Sequence, residues 1–249
     1  MASPAFVDCH AHAVPSGDDG VQSLEEARWL CHDAAEHETR VLFATPHVWP
    51  ALTLTDERER AVRASFEELR RDAPLEFRLG FELTPARPLL GEDLGRYALE
   101  GTDAVLIEVP FSGPPDLLLA VLERIEEQGL RPVIAHPERA EAAQDERGLL
   151  DLLAAPGRLL QVNATSLLGR HGDAAFELGW NLVEDGRAAL VASDGHRATR
   201  PARLDEAYAL AVERVGEEVI ALFDGTALGI QLVSAEPGFA RRSHTASNA

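Results

Sequence analysis

Side chains that can bind a metal ion recur in this chain just past the ends of short apolar runs. The residues in these positions are His10, His12, His47, Glu82, Glu108, His136, Asp194 and His196. If the apolar runs are parallel strands of an α/β barrel, their carboxyl ends all open onto one shared mouth. Ligands far apart in the sequence would then converge on one point. The pattern predicts an enzyme that binds several metal ions.

His10 and His12 are the first pair of candidate ligands spaced two residues apart. Residues i and i+2 of a strand point to the same side, so both imidazoles can reach one ion, with Asp8 on that face as a supporting partner. Such a pair alone is weak evidence, because a single histidine in a polar loop is usually just hydrogen-bonded. Glu82 and Glu108 strengthen it, because an unpaired carboxylate is costly to bury at the end of an apolar run. Histidine and carboxylate without thiolate suit Mn²⁺, Fe²⁺ or Zn²⁺.

The apolar runs predict seven strands, at residues 5–9, 40–44, 77–81, 104–109, 132–135, 159–162 and 188–192. Amphipathic helices fill the intervals; Ser23 and Glu26 form a capping box, and Gly129 is suited to end a later helix. This alternation predicts a single α/β domain with parallel strands over residues 1–233, followed by a loose tail at 234–249. A (β/α)₇ barrel is favoured over an open sheet, which would gather ligands only near its switch point.

Composition restricts the partners and the compartment. The 249 residues carry a net charge of −19, which argues against binding to nucleic acid or to an anionic membrane surface. Two cysteines, Cys9 and Cys31, are too few for a disulfide framework and suit a reducing compartment. No apolar run approaches the roughly 18 residues of a membrane span, and no secretion signal is evident at the start. We expect a cytoplasmic protein without an integral membrane segment.

Several longer motifs give the chain a family resemblance. They lie at residues 8–12, 16–20, 44–47, 107–110, 133–139, 161–166 and 192–196. Over roughly residues 7–201 the chain resembles the PHP (polymerase and histidinol phosphatase) superfamily. Within it, the chain is most similar to the bacterial manganese-dependent tyrosine phosphatases of capsule and exopolysaccharide biosynthesis. The resemblance implies a distorted (β/α)₇ barrel that hydrolyses phosphotyrosine in proteins through a hydroxide bridging its metal ions.

The resemblance also implies roles for individual residues. It assigns three ions, the first to His10, His12, Glu82 and Asp194, the second to Glu82, Glu108 and His136, and the third to Asp19, His47 and His196. Asp18 is an alternative to Asp19. Arg139 and Arg200 would contact the phosphoryl group. Two or three divalent ions, chiefly Mn²⁺, are expected, and the expected partner is a phosphotyrosine protein such as a tyrosine kinase of polysaccharide export.

Other functions stay open at this stage. A small-molecule phosphatase of the histidinol phosphatase type would use the same chemistry on another substrate. An amidohydrolase also opens with His-x-His, but many of those enzymes bridge two metals with a carboxylated lysine, and this chain has no lysine. A catalytically silent metal-binding regulator is a third alternative. Neither cysteine fits a Cys-x₅-Arg loop, so a phosphocysteine mechanism is not expected. The oligomeric state is not predicted.

Overall fold

The computed structural model describes residues 4–112, 114–145 and 147–232. Its strands are β1 (Phe6–Ala11), β2 (Thr39–Ala44), β3 (His47–Val48), β4 (Glu76–Leu79), β5 (Glu82–Leu83), β6 (Ala104–Glu108), β7 (Arg131–Ala135), β8 (Leu159–Asn163) and β9 (Ala188–Ala192). Its α-helices are α1 (Leu24–Glu36), α2 (Asp56–Asp72), α3 (Asp116–Glu127), α4 (Glu141–Asp145), α5 (Arg147–Leu153), α6 (Ala164–Leu167), α7 (Asp173–Glu184) and α8 (Asp205–Val215). Five short 3₁₀ helices lie at Arg87–Gly91, Leu94–Tyr97, Pro137–Arg139, Glu217–Leu222 and Thr226–Leu228.

The strands of the described residues form one α/β domain with two sheets. One sheet has the order β1-β2-β4 and the other the order β3-β5-β6-β7-β8-β9, and all of these neighbours are parallel. The prediction of parallel strands connected by helices is confirmed. The pairing does not make one continuous ring of seven strands, so the predicted closed barrel is matched only at the coarser level of a parallel α/β fold. The predicted tail lies outside the described residues.

The strand expected at residues 77–81 ends two residues early, and a separate two-residue strand follows it. β4 ends at Leu79 and β5 begins at Glu82, in the other sheet. Gly80 makes the close approach that this break requires, because a Cβ there would lie 2.5 Å from Leu99 Cδ2. The same break separates β2 from β3 at Thr45 and Pro46, since proline has no N–H to continue a ladder. His47 and Glu82 therefore each start a two-residue strand, which is too short to show a periodicity in the sequence.

The first strand also contacts the segment that follows the last one. The amide of Asp194 donates to the carbonyl of His10 at 2.9 Å, and the amide of His12 donates to the carbonyl of Gly195 at 2.7 Å. Asp8, fully buried, accepts from the amides of His10 and Ser193. These bonds place the ends of β1 and β9 side by side, so ligands from the two ends of the sequence become neighbours.

Helices and core follow the sequence pattern closely. Ser23 caps α1 by accepting from the amide of Glu26, and Gly129 follows α3 with φ of +74°. Alternate residues of the strands, among them Ala104 and Leu106, form a second apolar cluster apart from the one beneath the helices. Glu108 lies on the same face of β6 as Ala104 and Leu106, at the carboxyl end of the strand. Its carboxylate therefore lies at the end of this apolar cluster. Within the residues that the structure describes, no helix combines the length and apolarity needed to cross a membrane.

Candidate metal centre

The candidate ligands meet at the carboxyl ends of the strands. Three groups of side chains have ligand atoms within 4.8 Å of one another: His10, Glu82 and His136; His10, His12 and Asp194; and His12, Asp19, His47 and His196. Eight of the nine residues that the family resemblance assigns to metal ions belong to these groups, and the ninth is Glu108. Because His10 and His12 each occur in two groups, the three groups form one continuous cluster. We call the group that contains Asp19 the outer group.

Glu82 lies at the middle of this cluster. Its Oε2 is 3.2 Å from the Nε2 atoms of both His10 and His12 and 3.0 Å from His47 Nδ1. Its Oε1 is 3.0 Å from His136 Nε2. The side chain is fully buried. One carboxylate therefore faces four imidazoles, the arrangement expected of a bridging ligand.

The side-chain nitrogen and oxygen atoms of the cluster are better placed to bind a cation than to hydrogen-bond to one another. Glu82 Oε2 and His47 Nδ1 are close, yet neither makes a hydrogen bond of acceptable geometry within the described residues, and neither does His136 Nδ1. Buried polar atoms are rarely left unpaired unless they serve an ion, a water molecule or catalysis. The Nε2 atoms of His10 and His12 also face each other at 3.3 Å. Nitrogen and oxygen donors that converge without pairing suit a divalent ion such as Mn²⁺, Fe²⁺ or Zn²⁺.

Hydrogen bonds at the back of the imidazoles fix their orientation. Nδ1 of His10 lies 2.9 Å from Gln161 Oε1, and Nδ1 of His196 lies 2.9 Å from the carbonyl of Asp194. Nδ1 of His12 lies 3.3 Å from Asp18 Oδ2. An oxygen acceptor at Nδ1 favours the tautomer whose Nε2 lone pair faces the cluster, which is the usual support for a metal-binding histidine.

Two amide side chains of β8 support the cluster, although the sequence motif at residues 161–166 assigned neither of them a role. Gln161 donates from Nε2 to Asn163 Oδ1 at 2.9 Å, so its oxygen is turned toward His10. Asn163 donates from Nδ2 to Asp194 Oδ2 at 2.9 Å. Both side chains are fully buried. The available signal was two amides spaced i, i+2 in an otherwise apolar strand, which places both on one face.

The structure separates the roles of the two adjacent aspartates. Asp18 is buried, and its carboxylate accepts from the amides of Gly20 and His47 in addition to facing His12. Asp19 is 59% exposed at its side chain, and its Oδ1 lies 3.4 Å from His196 Nε2 and 3.7 Å from His47 Nε2. Asp18 is thus placed to orient His12 and His47, and Asp19 is placed to act as a further ligand beside His47 and His196.

Asp194 connects the cluster to two arginines. Its Oδ1 lies 3.5 Å from the Nε2 atoms of both His10 and His12. Its Oδ2 accepts from Arg139 Nη1 at 2.8 Å and forms an ion pair with Arg200 Nη2 at 2.6 Å. Arg200 Nε also donates to the carbonyl of Asp194 at 2.9 Å. Both residues predicted to contact a phosphoryl group therefore lie at the edge of the cluster. Asp194 and Glu82 also approach the same imidazole of His10, as the predicted convergence requires.

Two candidate ligands, His136 and Asp194, have strained backbones. His136 has φ of +37° and Asp194 has φ of +53°, in the left-handed region that non-glycine residues rarely adopt. Such conformations cost on the order of 1–3 kcal/mol and concentrate at functional sites. Arg139 follows His136 in a single 3₁₀ turn. With three residues per turn, His136 and Arg139 lie on the same side.

One aromatic ring and a further histidine lie near the two arginines. The guanidinium of Arg139 lies 4.8 Å from the ring centroid of Phe111, which also stacks on His136. His171 Nδ1 lies 3.0 Å from Ser166 Oγ. Burial, together with the positive charges of Arg139 and Arg200, lowers the pKa of His171 to about 4. The rim next to the cluster is therefore positively charged at the two guanidiniums, while His171 stays neutral at physiological pH.

The charges of the cluster are strongly coupled. Burial opposes ionisation of Glu82 and Asp194, but the neighbouring histidines hold the pKa of each carboxyl well below its usual range. Glu108 behaves differently: burial and the charge of Glu82 raise its pKa to about 7. Thr84 Oγ1 donates to its carboxylate, and Glu108 belongs to none of the three groups among the described residues. The structure thus places Glu108 beside the cluster and not within it.

Comparison with known proteins identifies the family to which the chain belongs. The family described as capsular polysaccharide synthesis, CpsB/CapC, matches residues 6–224. The chain belongs to this family. The putative tyrosine-protein phosphatase CapC of Staphylococcus aureus is 29% identical over 212 residues, which is 82% of each chain. The tyrosine-protein phosphatase YwqE of Bacillus subtilis is 29% identical over 224 residues, covering 86% of this chain and 87% of YwqE.

Solved structures extend the comparison to the fold. A structure described with YwqE from Bacillus subtilis and CpsB from Streptococcus pneumoniae as unique metal-dependent tyrosine phosphatases matches with a TM-score of 0.76 and 27% identity. The match covers 86% of this chain and 90% of the other. A D-hydantoinase matches with a TM-score of 0.53 at 12% identity, which shows a shared fold only. The CpsB/CapC fold is therefore present over most of the chain.

Proposed function

We propose that this CpsB/CapC protein is a metal-dependent phosphatase that hydrolyses phosphotyrosine in proteins. One observation carries the proposal: Asp194 joins a cluster of converging histidine and carboxylate donors to two arginines that can bind a phosphoryl group. The metal-dependent tyrosine phosphatases that share this fold support it.

The ligand assignment is part of the proposal. His10, His12, Glu82 and Asp194 would hold a first ion, Glu82, Glu108 and His136 a second, and Asp19, His47 and His196 a third. The three geometric groups support most of this assignment. Glu108 would have to release Thr84 and turn toward Glu82, and His12 adds a fourth donor near the third ion. When bound, the ions would lower the pKa of water and neutralise phosphoryl oxygens.

The chain's own residues bind and orient the phosphoester. The planar guanidiniums of Arg139 and Arg200 can each hold two phosphoryl oxygens. Asp194 keeps them at the edge of the cluster, and Phe111 supports Arg139 from the side. A tyrosyl leaving group has a pKa of about 10, so a protonating side chain is less essential than for an alkyl ester.

The proposal extends to the identity of the ion, the barrel architecture and the cellular substrate. We take Mn²⁺ as the ion in use, with Fe²⁺ and Zn²⁺ as alternatives that the same donors accept. The two sheets would together make a distorted (β/α)₇ barrel, supported by the contacts between β1 and the end of β9. Residues 1–233 would form this domain. The substrate would be a tyrosine kinase of polysaccharide export in the cytoplasm.

The test compares three phosphoesters with the same purified protein. A phosphotyrosine peptide, the matched phosphoserine peptide and histidinol phosphate are assayed with Mn²⁺ and with EDTA. We expect turnover of the phosphotyrosine peptide with Mn²⁺, much slower turnover of the other two, and none with EDTA. Preference for histidinol phosphate would assign a small-molecule phosphatase. Mn²⁺ binding without turnover of any phosphoester would favour the silent regulator.

A further inference from the structure

Asp19 is the least protected member of the outer group. Its side chain is 59% exposed, whereas His12, His47 and His196 are buried. The backbone that carries an exposed aspartate sets the region its carboxylate can reach, and ordering a mobile side chain within that region costs conformational entropy. Its distances of 3.4 Å to His196 and 3.7 Å to His47 therefore depend on how the loop around it is held.

The main chain of this loop is bound on one side by two long side chains. Gln22 donates from Nε2 to the carbonyls of Asp18 and Gly20, at 3.0 and 2.7 Å. Arg197 donates from Nη2 to the carbonyls of Asp19 and Gly20, at 2.6 and 2.9 Å. These bonds fix the shape of the turn, but they do not connect it to the segment that carries His47.

Arg58 makes that connection. Its Nε donates to the carbonyl of Ser16 at 3.0 Å, and its Nη2 lies 3.3 Å from Ser16 Oγ. On the other segment, Nη2 donates to the carbonyl of His47 at 2.8 Å and Nη1 donates to the carbonyl of Leu52 at 2.9 Å. One guanidinium thus bridges the loop before Asp19 and the segment that starts at His47.

The placement of Arg58 is itself fixed. It lies in the first turn of α2, which Thr55 caps by accepting from the amide of Arg58. The planar fork has several donors in a rigid arrangement, which suits it to two backbone segments at once. On the inner side, Asp18 accepts from the amide of His47, so the backbone on both sides of this imidazole is held.

We infer that Arg58 is a positioning residue that sets the separation of Asp19 and His47 for binding an ion in the outer group. The inference rests on the proposed metal site but goes beyond it, because Arg58 is no ligand. Residues that orient metal ligands typically change metal affinity by about 10- to 100-fold when they are removed.

The test measures Mn²⁺ binding by titration calorimetry and by metal analysis after dialysis against limiting Mn²⁺. Arg58→Gln should weaken one Mn²⁺ by about 10- to 100-fold and leave the tighter ions unchanged. Arg58→Lys should fall in between, because a point charge cannot bridge both segments as a fork does. Arg63→Gln is the matched control: Arg63 lies on the same helix and pairs with Glu59 at the surface, so its Mn²⁺ binding should equal that of the wild type.

A second comparison asks whether the two residues act on the same ion. Asp19→Asn should weaken one Mn²⁺, and adding Arg58→Gln to it should cause little further loss, because coupled residues are not additive. If either Arg58 variant binds Mn²⁺ as the wild type does while only the melting temperature of metal-free protein falls, Arg58 is a structural clamp and the inference is overturned. Fully additive losses overturn it as well. Should Arg58→Gln not fold, Arg58→Lys decides alone.

These measurements need no substrate, so the two proposals can fail separately. Wild-type protein that binds no Mn²⁺ would overturn both. Mn²⁺ binding that depends on Arg58, in a protein without phosphatase activity, would support the inference and reject the proposed function.

Discussion

Arg139 Nη1 donates to Asp194 Oδ2 at 2.8 Å, across 55 residues of sequence. The other oxygen of the same carboxylate faces the imidazoles of His10 and His12. A single side chain therefore connects the candidate metal cluster to a candidate phosphate-binding residue. Asp194 Oδ2 also accepts from Asn163 Nδ2 and forms an ion pair with Arg200, so the carboxylate does not depend on Arg139 alone for its orientation.

Replacing Arg139 should separate phosphate binding from metal binding. Arg139→Ala should keep the Mn²⁺ content near that of the wild type, because Arg200 and Asn163 still hold Asp194. Its kcat/KM for a phosphotyrosine peptide should fall on the order of 10²-fold or more, as for loss of one transition-state donor. Arg139→Lys should recover only part, since it lacks the fork. Full turnover by Arg139→Ala would show that Arg139 does not bind phosphate.

His136→Ala is the contrasting change on the same 3₁₀ turn. His136 belongs to the group with His10 and Glu82, so its removal should lower the bound Mn²⁺ itself. Metal analysis of the two variants side by side distinguishes a ligand from a phosphate contact. Equal Mn²⁺ content in His136→Ala and wild type would exclude His136 as a ligand.

The cysteines should not take part in the reaction. Burial raises the pKa of the Cys31 thiol to about 12, and burial with the nearby Asp8 raises that of Cys9 as well. Neither is a thiolate at neutral pH, so activity should survive alkylating reagents. Cys9→Ser should lower stability by roughly 1–3 kcal/mol, because it buries a hydroxyl in an apolar cluster. Activity per bound metal should stay near wild type; its abolition would implicate Cys9 in catalysis.

Gln161 should matter through His10. Gln161→Leu removes the acceptor at His10 Nδ1 and should weaken Mn²⁺ binding by about 10- to 100-fold. Gln128→Leu serves as the control. Gln128, at the end of α3, is also a glutamine whose side-chain amide makes two hydrogen bonds, but its partners are the backbone groups of Leu94 and Glu92. Calorimetric titration with Mn²⁺ compares the two. Unchanged binding in Gln161→Leu would mean that His10 is held by its other contacts.

His171 should make the protein less stable in acid. Its pKa is about 4 in the folded state, below the ordinary value of 6.5, so the unfolded chain binds the proton more readily. Its contribution is present above pH 6.5 and is lost as the pH falls toward 4. Relative to His171→Asn, the free energy of unfolding of wild type should therefore decrease over this range. Urea unfolding in EDTA measures the difference; a gap that does not change with pH would refute the low pKa.

Much of the fold and the set of candidate ligands could be predicted from the sequence. Burial along a single element leaves a periodic pattern, so β6, β7 and β9 were predicted within one residue at each end. The N-cap of α1 is equally local, because Ser23 Oγ accepts from the amide of Glu26 within one turn; the Glu26 carboxylate accepts from the amide of Gln22, so the predicted capping box is present only in its Ser23 half. Positions at strand ends likewise pointed to seven of the eight residues that form the cluster, whereas Asp19 came from the family resemblance.

The tertiary structure alone decided how these pieces meet. Asp18 and Asp19 are adjacent and chemically identical, and only the position of His12 and of the His47 amide shows that one supports and the other faces the imidazoles. The bonds of Gln161 to His10 and of Arg139 to Asp194 join strands far apart in the sequence. A periodic pattern records which side of a segment is buried, but the partner of a buried polar atom depends on another segment's position. That information exists only after the chain has folded.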